Sequence, residues 1–177
     1  LHQESNLFNL PVFINIFQTV SIVASTGFGV KMKKMKHCSI CGDLLEYRIP
    51  AGDNQFRYVC PQCKEIHYQN PKLVIGCIAE WENKILMCRR AIDPQYGLWT
   101  LPAGFMENGE STLEAACRET LEETCAQVDI DGLYMLINIV HINQVHLFYR
   151  GRLREPTYGK SKESLETALL SEQEIPW

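Results

Sequence analysis

The chain contains, near the middle of its 177 residues, the stretch Gly104-Phe-Met-Glu-Asn-Gly-Glu110-Ser-Thr-Leu-Glu-Ala-Ala-Cys-Arg118-Glu119-Thr-Leu-Glu122-Glu123. Ser111 and Glu114 have the form of a capping box, which predicts a helix that begins at about Thr112. The carboxylates of Glu119, Glu122 and Glu123 then fall at i, i+3 and i+4, within reach of one another. On the opposite side, the helical period predicts a buried face of Leu113, Ala116, Cys117, Thr120, Leu121 and Thr124.

This arrangement of carboxylates is unfavourable without a ligand. Like charges at such spacings cost roughly 0.2–0.5 kcal/mol per pair, and the dipole of the last helical turn disfavours each anion by about 0.3–1 kcal/mol. Arg118 offsets only part of this through Glu122. Hard cations prefer carboxylate oxygens, so the stretch predicts a site for Mg²⁺ or Mn²⁺. The alternative is a solvated acidic helix face.

The spacing resembles the Nudix box, which this chain reproduces at every charged position as Gly104-x5-Glu110-x7-Arg118-Glu119-x-x-Glu122-Glu123. Two positions depart from the family pattern. Thr120 stands at an aliphatic site, and Cys125 stands where the family has a second Gly. A residue with a β-carbon in the left-handed conformation costs about 1–2 kcal/mol. The loop after the helix is therefore expected to differ from that of the family.

The resemblance implies roles for these residues. Glu119 and Glu123 are the first choices as metal ligands, with Glu122 next, and the carbonyl of Ala103 is expected to help. Arg118 would orient a box carboxylate. Glu110 would support the loop or a second metal.

Residues outside the box complete the expected site. Family members often add a glutamate as general base, and Glu163 and Glu166 both lie in a suitable region; we include Glu166 among the predicted catalytic residues. Three aromatic residues are candidates for stacking on a nucleobase, although aromatic residues in such patterns are more often part of a core. They are Tyr96, Phe105 and Tyr134.

Apolar runs around the box predict strands over residues 73–79, 85–88, 133–142, 145–153 and 168–170. One helix among several strands defines an α+β domain. The resemblance implies that residues 72–177 form a Nudix α/β/α sandwich with a mixed β-sheet. It also implies that family members continue beyond Trp177.

Two C-x-x-C pairs precede this domain, and eighteen residues separate them. This spacing is typical of a zinc site in which four thiolates bind one ion tetrahedrally. The residues between the pairs predict a hairpin, so residues 35–71 are expected to form a zinc ribbon whose folding depends on structural zinc. Disulfides or a redox dithiol are the alternatives. The predicted ligands are Cys38, Cys41, Cys60 and Cys63.

Composition narrows the classes of partner. A net charge of −4 argues against nucleic-acid binding, and eight cysteines without a secreted pattern favour the cytoplasm. Within an N-terminal extension of residues 1–34, the stretch 7–30 is apolar with interspersed polar residues, and lysines follow it from Lys31 on, which argues against a secretion signal or a membrane span. We expect translation to start near Met32 or Met35, upstream of which the chain lies outside the fold. The sequence is compatible with a homodimer.

A zinc ribbon before a Nudix domain resembles two subgroups, NADH pyrophosphatases and a group acting on ADP-ribose or FAD. The chain lacks the Ser-Gln-Pro-Trp-Pro-Phe-Pro-x-Ser signature of the first. The resemblance therefore implies a pyrophosphatase that releases AMP from FAD or ADP-ribose, with NADH as the alternative substrate. A nucleotide-binding sensor and an RNA-directed hydrolase are alternatives of other classes.

Overall fold

The computed structural model describes residues 34–93 and 95–176. They divide into two compact units, one reaching Pro71 and the other beginning at Lys72. The predicted N-terminal extension lies, apart from its last residue, outside the described residues. The helices of residues 34–93 and 95–176 are too short or too polar to cross a bilayer.

The smaller unit is a three-stranded antiparallel sheet of β1 (Glu46–Arg48), β2 (Arg57–Val59) and β3 (Ile66–His67), with β2 in the centre. The β1–β2 connection contains Asp53, whose carboxylate accepts hydrogen bonds from the amides of Asn54 and Gln55. Such side-chain bonds to the backbone favour a turn over a continued strand. The predicted hairpin is confirmed.

The larger unit is a seven-stranded mixed sheet with one α-helix in the described part of the chain. Its main path runs β10-β5-β4-β9-β8, and the central pair β4–β9 is parallel whereas the other neighbours are antiparallel. The mixed sheet that the sequence predicts is thus confirmed. The elements are β4 (Lys72–Trp81), β5 (Lys84–Arg90), β6 (Trp99–Thr100), β7 (Ala103–Phe105), α1 (Thr112–Thr124), β8 (Val128–Ile139), β9 (Gln144–Leu153) and β10 (Ser164–Leu170).

A fork in this sheet positions the box. Strands β4 and β5 pair next to their turn, and then β6 pairs with β5 while β7 pairs with β4. The carbonyl of Pro102, between β6 and β7, accepts a hydrogen bond from the Cys77 amide at 3.1 Å. The segment from β6 to β7 therefore enters the sheet as a wedge. It carries Ala103 and Gly104 to the side of the sheet where α1 packs.

Helix α1 begins at Thr112, as predicted, and the capping box is present. The Glu114 amide donates to Ser111 Oγ at 3.2 Å, and the Ser111 amide donates to Glu114 Oε2 at 2.7 Å. The helix ends at Cys125, which adopts the left-handed conformation (φ 56°, ψ 16°) despite its β-carbon. The cap amide donates to the Leu121 carbonyl, so the cysteine retains the helix-ending geometry that favours glycine.

The predicted buried face of α1 is partly wrong. Leu113 and Leu121 are about half exposed, whereas Glu119 and Glu123 are buried. The reason is that α1 packs against β4 and the wedge through small residues, while the two carboxylates are turned toward the wedge backbone. The residues that are buried on α1 are Ala115, Ala116, Glu119, Thr120, Glu123 and Thr124.

The core has two parts, because alternate residues of β4 point to opposite faces of the sheet. Ile78 packs with Met87, Leu101 and Phe148 on one face. Ile75 packs with Ala115 and the other small residues of α1 on the opposite face. The helix is thus held close to the sheet by side chains of small volume.

Candidate active site

The wedge backbone lies directly against the first buried carboxylate. A β-carbon placed on Gly104 would clash with the Glu119 carboxylate, so a larger residue at this position would displace that carboxylate. Glu119 is 8% exposed. Burial raises the pKa of its carboxyl, the Arg118 guanidinium opposes this, and Glu122 and Glu163 add further negative charge.

Glu123 is the second buried carboxylate, also 8% exposed. Its Oε2 accepts hydrogen bonds from the Ala103 amide at 3.1 Å and from the Cys88 thiol at 3.4 Å. Both donors are neutral. Burial raises the pKa of Glu123 to about 7, because these contacts compensate little of the lost hydration.

Arg118 links the remaining box carboxylates. Its guanidinium holds Glu110 through two bonds, Nε to Oε2 at 2.9 Å and Nη2 to Oε1 at 2.6 Å. It also contacts Glu119 at 2.6 Å and the exposed Glu122 at 3.0 Å, and it donates to the carbonyl of Phe105. Arg118 therefore connects the helix to the loop in front of it.

Glu110 is placed to support that loop. Besides Arg118, its carboxylate accepts the Glu107 amide at 2.6 Å. The Arg118 guanidinium and this amide hold the pKa of Glu110 at about 2, so the side chain is charged at neutral pH. Because both carboxylate oxygens of Glu110 already accept hydrogen bonds from Arg118 and Glu107, we expect Glu110 to stabilise the loop.

The donor set fits a hard divalent cation. Glu119 and Glu123 lie one helical turn apart, are both buried, and face the same stretch of wedge backbone. Buried like charges are unfavourable unless they are compensated, and carboxylate oxygens are the ligands that Mg²⁺ and Mn²⁺ prefer. The Ala103 amide, bonded to Glu123, brings this backbone within reach of the same site.

The two candidate bases lie in different surroundings. Glu163 is close enough to Glu119 to raise the pKa of that carboxyl, and its carbonyl accepts the Ala91 amide. Glu166, on β10, has a side chain that is 52% exposed and lies 3.7 Å from Arg89. The charge of Glu163 thus acts on Glu119, whereas Glu166 contacts Arg89 at the surface.

The three aromatic candidates lie on separate elements. Phe105 ends β7 beside the box, and the Lys72 ammonium lies 4.7 Å from the centre of its ring. Tyr96 is exposed in the segment between β5 and β6, and Tyr134 is exposed on the edge strand β8. Phe105 is therefore the one that follows Gly104, the residue in contact with Glu119, and the Lys72 ammonium lies over its ring.

The four cysteines of the smaller unit converge, as their spacing predicts. All four sulfurs lie within 4.8 Å of one another, and the Cys38–Cys63 and Cys41–Cys60 pairs are 3.6 and 3.4 Å apart. Sulfurs of a tetrahedral zinc site with Zn–S bonds of about 2.3 Å are separated by about 3.8 Å. The cluster therefore has the size and the ligands that zinc requires. His67 Nε2 lies 3.4 Å from Cys38 Sγ as an outer-shell contact.

The sequence missed some residues around the carboxylates. In the sequence, Cys88 is an ordinary residue of an apolar strand, and Lys72 and Ser164 are polar residues at the start of strands. Each is brought to the site or its surroundings by strand pairing, through the contacts of Cys88 with Glu123 and of Lys72 with Phe105. No pattern in the sequence signals these contacts.

Fold and site together define a mixed-sheet α+β domain with a carboxylate site for a divalent metal, accompanied by a four-cysteine unit. Comparison with known families specifies this class. A model described as NUDIX domain matches residues 70–172, and one described as Nudix N-terminal, a zinc-ribbon model, matches residues 36–69. The chain belongs to the Nudix hydrolase family.

Individual relatives agree with this assignment. A solved NUDIX hydrolase from Nitrosomonas europaea is 55% identical, with a TM-score of 0.78, over 81% of each chain. An NAD-capped RNA hydrolase NudC from Photobacterium profundum is 32% identical over 58% of this chain and 38% of its own length. An ADP-ribose pyrophosphatase from Methanocaldococcus jannaschii is 44% identical over 32% of this chain and 34% of its own length. The chain thus spans little more than a third of these two curated relatives.

Proposed function

We propose that this protein hydrolyses the pyrophosphate bond of nucleoside-diphosphate-linked small molecules, acting on FAD or ADP-ribose and releasing AMP. The observation that carries the proposal is the pair of buried carboxylates, Glu119 and Glu123, held against the wedge backbone. A folded protein gains no stability from two adjacent buried anions. Their arrangement is suited to a Mg²⁺ or Mn²⁺ ion that binds a pyrophosphate.

Each side chain of the site has a separate role in this proposal. Glu119 and Glu123 would hold the ion, with Glu122 at the exposed edge. When bound, the ion lowers the pKa of a water molecule and neutralises phosphate oxygens. Arg118 fixes Glu119 and, through Glu110, the loop in front of α1. The wedge backbone at Ala103 and Gly104 keeps the two ligands in place.

Glu163 is the stronger candidate for the general base, because it is the outer glutamate whose charge reaches Glu119. Glu166 is engaged by Arg89 at the surface. Glu163→Gln should lower kcat by about 10²-fold, in the range that general-base catalysis contributes, whereas Glu166→Gln should change it less than about threefold. A larger loss with Glu166→Gln would reverse this assignment.

Zinc in the cysteine cluster would be structural. Four thiolates leave no position for a reacting water, and a unit this small has little core of its own. The eight cysteines are all free, which supports a reducing compartment such as the cytoplasm. A homodimer stays a prediction that sedimentation analysis can check.

Similarity supports the choice of substrate. The M. jannaschii relative is named an ADP-ribose pyrophosphatase, and the NADH pyrophosphatase signature is absent after the box of this chain. Residues 128–139, in the region that follows the box, instead form the edge strand β8. These observations favour ADP-ribose or FAD over NADH.

A second candidate is hydrolysis of NADH or of NAD-capped RNA, favoured by the similarity to NudC proteins. Both candidates use the same carboxylates and differ in what is attached to the pyrophosphate. The sensor alternative predicts nucleotide binding without turnover, and the RNA-directed hydrolase predicts turnover of RNA alone.

A substrate panel separates these candidates. Zinc-loaded protein with Mg²⁺ or Mn²⁺ is incubated with FAD, ADP-ribose, NADH, NAD-capped RNA and 5′-triphosphorylated RNA, and products are identified by mass spectrometry. AMP from FAD or ADP-ribose that is lost in Glu123→Gln supports the proposal. Preference for NADH or capped RNA supports the second candidate. Turnover of none by folded protein contradicts the hydrolase proposal.

A further inference from the structure

A buried thiol lies between the sheet and the carboxylate site. Cys88, on β5, is 2% exposed, and its Sγ lies 3.4 Å from Glu123 Oε2 and 3.7 Å from the Thr100 carbonyl oxygen. A thiol has one proton to donate. Hydrogen bonds to an ionised acceptor are roughly twice as strong as neutral ones. The Cys88 proton is therefore directed to Glu123.

The thiol acts together with a backbone amide. Ala103 donates to the same oxygen, Oε2, from β7 at 3.1 Å. Cys88 reaches it from β5. Two donors on one oxygen restrict the rotation of the carboxylate, so that the other oxygen, Oε1, is presented in a defined direction. The fork in the sheet supplies both donors.

A second polar side chain stands next to this thiol. Ser164 is 4% exposed, and its hydroxyl lies beside Cys88. Burying polar groups costs free energy that apolar residues would not. Cys88, which contacts Glu123, thus has a polar neighbour where apolar residues would pack at lower cost.

We propose that Cys88 is a positioning residue that orients the Glu123 carboxylate toward its divalent cation. The inference rests on the proposed function, because it takes Glu123 as a metal ligand. Outer-shell partners of metal ligands typically contribute ten- to a hundredfold to metal affinity. A thiol is a weak donor, so the expected contribution of Cys88 is about tenfold.

Direct measurement of Mn²⁺ binding tests this without relying on catalysis. The dissociation constant is measured by electron paramagnetic resonance on the full-length, zinc-loaded protein and on Cys88→Ala and Cys88→Ser. The matched control is Cys77→Ala, since Cys77 is equally buried on the adjacent strand β4 and borders Thr120 instead of Glu123. Glu123→Gln serves as the reference for a lost ligand.

The expected result is a Mn²⁺ dissociation constant about tenfold higher in Cys88→Ala, a smaller increase in Cys88→Ser, which keeps a donor, and no change in Cys77→Ala. At saturating Mn²⁺ the KM for the nucleotide should stay at the wild-type value. An unchanged Mn²⁺ affinity in Cys88→Ala, or an equal loss in Cys88→Ser and Cys88→Ala, would overturn the role of Cys88. Unchanged Mn²⁺ binding in Glu123→Gln would instead refute the metal assignment itself.

Discussion

The cysteine cluster draws its four sulfurs from two C-x-x-C turns of one small unit, whereas the carboxylate site combines a helix with residues far along the chain. In the cluster, each turn fixes two ligands by local geometry. In the carboxylate site, Glu123 depends on Cys88 and Ala103, which belong to two different strands. A local motif therefore specifies which residues are ligands in both sites, but it specifies the geometry of the ligands only in the cysteine cluster.

Disruption of the cysteine cluster should have the largest effect on the protein. Cys60→Ser or zinc chelation should unfold residues 34–71, because structural zinc supplies about 10–16 kcal/mol in small zinc units. Loss of the amide dispersion of this unit in NMR spectra, together with loss of one bound zinc, would be the readout. Cys125→Ser is the control, since Cys125 is exposed and outside the cluster. A folded, zinc-free unit would contradict the prediction.

Substitutions in the carboxylate site should lower the activity of the protein but leave it folded. Glu123→Gln should lower kcat by about 10³-fold, equivalent to about 4 kcal/mol, by removing a buried metal ligand. Glu122→Gln should lower it about tenfold or less, because that side chain is 58% exposed and contacts Arg118. Steady-state kinetics at several Mn²⁺ concentrations would measure both. Equal losses would show that burial does not distinguish the two glutamates.

Without divalent metal, Glu123 should make stability depend on pH. Its pKa is about 7 in the folded protein and near 4.5 when unfolded, so its protonated form favours folding. This stability is fully present below about pH 4.5 and is lost as pH rises through 7, up to about 3 kcal/mol. Urea unfolding of wild type and Glu123→Gln between pH 5 and 8 measures it. Parallel pH curves for the two proteins would contradict the prediction.

Gly104→Ala tests the close approach of the wedge. Its β-carbon would displace the Glu119 carboxylate, and a shift of about 1 Å at such a site can lower activity by about 10²-fold. Gly132→Ala is the matched control, because nothing lies within 4 Å of its β-carbon position. Kinetics and thermal unfolding of both variants would separate misplacement from destabilisation. Wild-type kcat in Gly104→Ala would argue against this contact as a determinant.

Much of the fold could be predicted from sequence, because its signals are local. The capping box at Ser111 and the hairpin around Asp53 are confirmed. The strands on either side of Asn143 are also present, but the first runs over residues 128–139 instead of 133–142, because residues 140–142 form a 3-10 turn. The apolar character of Leu113 and Leu121 predicts that both lie on the buried face of α1. The structure reverses this, as the helix lies so close to the sheet that alanines and threonines fill its contact.

The spacing of ionisable side chains along one helix and two turns is enough to identify the groups that could bind metal, which are the box carboxylates and the four thiols. Which of these carboxylates are buried depends on the tertiary structure, which encloses Glu119 and Glu123 and leaves Glu122 exposed. It also brings the charge of Glu163 to act on Glu119, while Glu166 contacts Arg89. The physical reason is the fork between β4 and β5. It admits the wedge and so brings Cys88, Ala103 and Gly104 to the helix, through pairings between residues that are distant in the chain.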